Sequence, residues 1–140
     1  EKGFVYGVSA GYGGSVDAGS FAVTTSIAKK NLQEVLDIIS GEFQRATLGK
    51  ITAVELDFFK TRKMKSQKRV METADSWVDF HAYDELIGNE KRLSLPEFLE
   101  KVNQVTLDDI TRVSEKYLVK ESWYLAVCGD IEEKDIVVHY

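Results

Sequence analysis

Phe4-Val-Tyr-Gly-Val-Ser-Ala-Gly-Tyr-Gly-Gly14 and Asp17-Ala-Gly-Ser-Phe-Ala-Val-Thr-Thr-Ser-Ile-Ala28 are the two stretches whose reading decides the fold. In the first, Phe4, Tyr6, Val8, Ala10 and Tyr12 alternate with Val5, Gly7, Ser9 and Gly11. Period-two alternation is the signature of a strand, and the small second row leaves room for another backbone or a ligand to approach. In the second, Phe21, Val23 and Ile27 form an apolar row opposite Ser20, Ala22, Thr24 and Ser26. Gly13, Gly14, Ser15 and Asp17 supply turn chemistry between them, so the pair predicts an antiparallel hairpin.

After Lys29 and Lys30 the period changes to 3.6, with Leu32, Val35, Leu36, Ile39 and Phe43 on one stripe. Asn31 and Glu34 fit an N-cap with a reciprocal partner, and Gly41 inside this helix costs about 1 kcal/mol against alanine. Thr52 and Glu55 form a capping box that opens a second helix with Leu56, Phe59, Met64 and Met71 turned inward. Trp77, Val78, Phe80, Tyr83, Leu86 and Ile87 predict a third helix with a broad apolar surface, ending at Gly88 before a polar loop over 89–92. Ser94-Leu-Pro-Glu97 and Thr106-Leu-Asp-Asp109 open two more helices, the sole proline lying in a first turn where its missing N–H does no harm. Trp123-Tyr-Leu-Ala-Val-Cys128, bounded by Gly129 and Asp130, reads as a buried strand, and residues 131–140 read as a cut-off helix. The order β-β-α-α-α-α-α-β predicts an α+β fold, a largely antiparallel sheet with helices packed on one face, as a single domain over 1–140.

A chain of 140 residues, 44% of them apolar, is long enough to bury about 68% of its unfolded surface, which excludes a disordered chain. The net charge of −5 disfavours binding to nucleic acid, which needs a surplus of Lys and Arg on one face. The run Lys60, Arg62, Lys63, Lys65, Lys68 and Arg69 spreads around the second helix and reads as a solvated surface. No stretch approaches the roughly 18 apolar residues of a membrane span, so no membrane partner is expected. The chain opens on Glu1 rather than methionine and reads as a piece of a longer protein whose localisation signals lie outside it. The single Cys128 has no partner for an intrachain disulfide and reads as a small buried hydrophobe.

Three motifs bear on chemistry. Gly7-Val-Ser-Ala-Gly11 has the G-x-S-x-G spacing of serine hydrolases, but a nucleophile elbow runs from strand to helix, and Gly11 leads into a hairpin. His81-Ala-Tyr-Asp-Glu85 is a near miss of the H-x-x-E-H zinc motif, with Glu85 in place of the second histidine and Asp84 in place of the glutamate. With His139 as the only other histidine, the chain falls short of the three ligands a catalytic zinc needs, and no metal is expected in it. His81 reads as a structural residue packed beside Trp77 or bonded to Glu85. Gly11, Gly13 and Gly14 make no phosphate loop, because Val16 stands where the last glycine belongs.

The run Gly3-Phe-Val-Tyr-Gly-Val-Ser-Ala10 followed by Asp17-Ala-Gly-Ser-Phe21 resembles the opening of the C-terminal, non-zinc half of pitrilysin/insulinase-type metallopeptidases, the group that includes the mitochondrial processing peptidases. The resemblance extends through Thr52 and Glu55, the segment 94–102, Val105-Thr-Leu-Asp-Asp-Ile110 and Leu125-Ala-Val-Cys-Gly-Asp130. It implies a half of a clamshell around a chamber for unfolded or short peptides, with zinc on the N-terminal half or a partner subunit. This chain would then be the inactive, substrate-holding domain of a zinc-dependent endopeptidase, with no cofactor of its own. In that family the half donates an arginine and a tyrosine in a segment resembling R-E-x-x-G-L-x-Y. Tyr6 matches the tyrosine, and the arginine position falls just before Glu1. The resemblance makes Tyr6 the candidate substrate-binding and catalytic residue, a hydrogen-bond donor to the carbonyl oxygen under water attack. A strand aromatic filling the core is the alternative for Tyr6. For the whole chain the alternative is a non-catalytic scaffold or recognition subunit of a processing-peptidase-like complex.

Overall fold

The computed structural model describes residues 3–15, 17–86, 88 and 93–139. They form an α+β fold: strands β1 (Val5–Gly14) and β2 (Gly19–Ile27), then helices α1 (Leu32–Thr47), α2 (Ala53–Val70), α3 (Ala74–Leu86), α4 (Leu95–Gln104) and α5 (Leu107–Tyr117). Single 3-10 turns follow at Lys120–Ser122 and Glu133–Asp135. Two compact units contain these elements, one from Glu1–Leu48 with Ser114–Tyr140, the other from Gly49–Val113.

In the first unit β1 and β2 pair antiparallel from Val5↔Ile27 to Gly14↔Gly19. Ser15 closes the turn, its N–H donating to the Ala18 carbonyl at 2.7 Å and its hydroxyl to Asp17 Oδ1 at 3.0 Å. Val16, the residue that breaks the phosphate-loop pattern, lies outside the described residues. α1 buries Leu32, Val35 and Ser40. Its Phe43 ring sits 6.1 Å from Phe21 of β2 and meets Trp123 edge-on at 4.6 Å. Asn31 does sit at the N-cap of α1, but without the expected side-chain cap. Its amide donates instead to the Phe4 carbonyl at 3.1 Å, because the 3-10 turn Lys29–Asn31 already leads the chain into the helix.

Two whole segments of this unit also depart from expectation. Residues 123–128 join no ladder, and Tyr124, Leu125, Val127 and Cys128 are exposed, with Tyr124 at 98%. An apolar run becomes a strand only when a neighbouring strand takes its N–H and C=O groups, and the only sheet among the described residues is β1–β2. Cys128 is therefore not the buried hydrophobe that its neighbours suggested. Residues 131–139 carry one 3-10 turn rather than a helix, tied back by Gln33, whose side chain donates to the Val137 carbonyl at 2.6 Å and accepts from its N–H at 3.1 Å. Ser40 donates to the His139 carbonyl.

The second unit is built from capped helices. The Thr52 hydroxyl accepts from Glu55 N–H at 3.2 Å while Glu55 Oε2 accepts from Thr52 N–H at 2.8 Å. Ser94 and Glu97 repeat this box on α4, with Pro96 in the first turn. The same reciprocal pair joins Thr106 to Asp109 on α5. Inward packing on α2 departs from expectation. Leu56 and Met71 are buried and Met64 half-buried, but Phe59 is 58% exposed. Lys60 and Lys63 share the inward stripe instead, Lys60 donating to the Asn103 carbonyl at 2.7 Å and Lys63 lying 5.8 Å over the Phe98 ring. Their aliphatic stems cover apolar surface while each ammonium finds an acceptor or ring. Phe80 of α3 reaches Phe98 at 6.2 Å, yet Trp77, Val78 and Leu86 are exposed. Ile87 and the loop 89–92 lie outside the described residues.

Asp109 yields a pH prediction. The Arg112 guanidinium at 3.0 Å, then the Thr106 hydroxyl and N–H, hold its carboxyl down from 3.8 to about 2. A depressed carboxylate stabilises the folded state fully above its unfolded pKa, so this contribution is lost as pH falls from 3.8 through about 2. A carboxyl titration by NMR is expected to give a midpoint near 2. Arg112→Ala moves that midpoint up further than Thr106→Ala does, and the reverse order would refute the assignment. Glu97 is likewise lowered, first by the Ser94 hydroxyl, then by the Ser94 N–H.

Candidate functional site

Strict alternation along β1 puts Tyr6 in the apolar row and Val5 in the small one. The observed register differs, because Val5 pairs with Ile27 and Gly7 pairs with Ser26, which leaves Tyr6 as an extra residue. This is a β-bulge, a device that re-aims a side chain and changes which residues share a face. Directly opposed residues lie on one face of an antiparallel pair. One face is therefore Val5, Val8, Ala10 and Tyr12 with Ile27, Thr25, Val23 and Phe21, and its Phe21 meets α1. The other is Gly7, Ser9, Gly11 and Gly13 with Ser26, Thr24, Ala22 and Ser20. Val5 thus belongs to the apolar face, where it is half-buried opposite Ile27.

Tyr6 is 88% exposed, so it does not fill the core among the described residues. Beside it the small face is open: a Cβ built on Gly7, Gly11 or Gly13 meets no atom within 4 Å. A phenol at a strand irregularity beside a surface without bulky side chains can donate a hydrogen bond to a chain laid along that surface. The missed element is the bulge, and its sequence signal is Gly7, a glycine inside a strand pattern. On the apolar face, at the turn end, the Tyr12 ring covers the Gly14–Gly19 pair, and a Cβ on Gly19 would come 2.7 Å from its Cε2.

The other candidates are scattered. Ser9 lies within β1 opposite Thr24, and the chain continues through the turn into β2 rather than into a helix. His81 stacks on Trp77 at 5.9 Å with 16° between the planes and meets Phe80 edge-on at 5.1 Å, which is the packed role expected for it. His139 lies in the other unit, 58 residues along the chain (139 − 81). Among the described residues no three His, Cys, Asp or Glu side chains are grouped to hold a metal ion.

No protein-family model matches the chain. Its sequence is 28% identical over 117 residues, 84% of its length, to the mitochondrial-processing peptidase subunit alpha-2 of Dictyostelium discoideum. That is a similarity to a peptidase subunit. The structure is similar to the crystal structure of a conserved protein from Enterococcus faecalis V583, with a TM-score of 0.66, 26% identity and 81% of this chain covered. The chain spans about a quarter of both, 25% of the first and 26% of the second.

Proposed function

We propose that this chain is the zinc-free, substrate-holding part of a pitrilysin/insulinase-type endopeptidase, acting with a zinc-bearing half or partner subunit on peptide substrates. The observation that carries the reading is the similarity to a processing-peptidase subunit over 84% of the chain. Tyr6 supports it by its position, exposed at a bulge at the edge of an open small-residue face. On this reading an extended peptide lies along Gly7, Ser9, Gly11 and Gly13, and the Tyr6 hydroxyl donates to the carbonyl oxygen of the bond under attack. As water adds, negative charge grows on that oxygen, and a donor already in place is stronger in the transition state than before it. Zinc on the other part would activate the water, a role for which this chain groups no ligands among its described residues.

A second reading is favoured by one observation, that the similar protein is named as a subunit. In it the chain only recognises the substrate and contributes nothing to bond cleavage. Cleavage of a quenched fluorescent peptide by the zinc-bearing part, with and without this chain, tests the proposal. Its addition is expected to raise kcat, and a change confined to KM would select the recognition role. An unchanged rate would reject both.

A further inference from the structure

The solvent-facing stripe of α2 is unlike the rest of this acidic chain. Phe58, Thr61, Arg62, Lys65, Ser66 and Arg69 line an open depression of about 620 Å³. At 100° per residue they lie opposite the inward row of Leu56, Lys60, Lys63 and Met71. Lys60 and Lys63 are satisfied by the Asn103 carbonyl and the Phe98 ring, whereas Arg62, Lys65 and Arg69 pair with no carboxylate among the described residues. Exposed Val54 and Phe58, at 78% and 67%, continue the same stripe toward the helix N-terminus. The six basic residues of α2 do not act as one diffuse surface: three of them line one side. The face is apolar at one end and cationic at the other over roughly 22 Å, from Val54 to Arg69.

We propose that this face docks an acidic amphipathic polypeptide segment, with carboxylates at i, i+3 and i+7 against Arg62, Lys65 and Arg69 and a bulky apolar side chain against Val54 and Phe58. Charge complementarity carries the choice of partner. Three like charges on one stripe repel one another until an anion neutralises them, and the two arginines present planar forks suited to carboxylates. A nucleic acid satisfies less of the surface: its phosphates extend beyond three cations into the field of a chain of net charge −5, and they leave the apolar end unused. The proposal lies in the second unit and is independent of the peptidase reading.

Fluorescence anisotropy with the intact protein tests it. The probes are a labelled helical peptide with one leucine and glutamates at i, i+3 and i+7, its glutamine twin, and a single-stranded oligothymidine. The glutamate peptide is expected to bind at least about tenfold more tightly than its twin and to weaken with added salt. The triple variant Arg62→Glu, Lys65→Glu, Arg69→Glu loses about tenfold or more in affinity, and Phe58→Ala loses severalfold. All four positions are exposed, and an unchanged circular dichroism spectrum shows that the variants fold. Equal binding of the twin, or no binding of either peptide, overturns the proposal. Tighter binding of the oligothymidine overturns it in favour of nucleic acid. Poor acetylation of Lys65 in the unliganded intact protein also overturns it, since the stripe would then be covered by the chain's own remainder.

Discussion

Replacing Tyr6 by phenylalanine is expected to lower kcat of the assembled peptidase by about 100- to 1000-fold, the usual loss for one donor to a developing oxyanion. KM should change little, because the ring and its apolar contacts remain and the hydroxyl acts mainly in the transition state. Stability should stay within about 0.5 kcal/mol of the parent, since substitutions at exposed sites away from caps and cores rarely do more, and Tyr6 is 88% exposed. That combination separates a role in the reaction from a role in the fold. A kcat within twofold of the parent would remove Tyr6 from the mechanism and leave the recognition role standing.

The largest structural loss is expected from Trp123→Ala. Trp123 meets Phe43 edge-on at 4.6 Å, and Phe43 in turn reaches Phe21, so one ring links the segment after α5 to α1 and the hairpin. Truncating a core tryptophan costs 3–5 kcal/mol, and half-burial places this one at the low end, about 3 kcal/mol. Native-state hydrogen exchange of the α1 amides should then quicken by roughly 150-fold if they open with this unit. A double-mutant cycle with Phe43→Leu should recover about 0.5–1.5 kcal/mol of coupling from the ring pair. Acceleration below tenfold would show that Trp123 lies on the unit without holding it together.

Helix boundaries were legible because their causes are local. Thr52 with Glu55, Ser94 with Glu97 and Thr106 with Asp109 satisfy helix N-termini within four residues, and each starts a helix where the spacing predicts one. The inward face of α2 was less legible. A lysine ammonium is polar in any pattern, and only the Asn103 carbonyl and the Phe98 ring make Lys60 and Lys63 inward residues. Asn31 is similar: its residue type favours capping, but the nearby Phe4 carbonyl takes its amide.

Taken by itself, the sequence determined the α+β class, the hairpin and the five helices from alternation, capping and glycine placement, while its resemblance to the metallopeptidase family made Tyr6 the residue to examine. The tertiary structure decided what depends on a second segment. It moved Val5 to the apolar face, left Tyr6 as the extra residue of a bulge, and left Trp123–Cys128 outside any sheet. Caps close within one turn of chain, whereas a strand's register and its very existence depend on hydrogen bonds to residues far along the sequence, which no local pattern encodes.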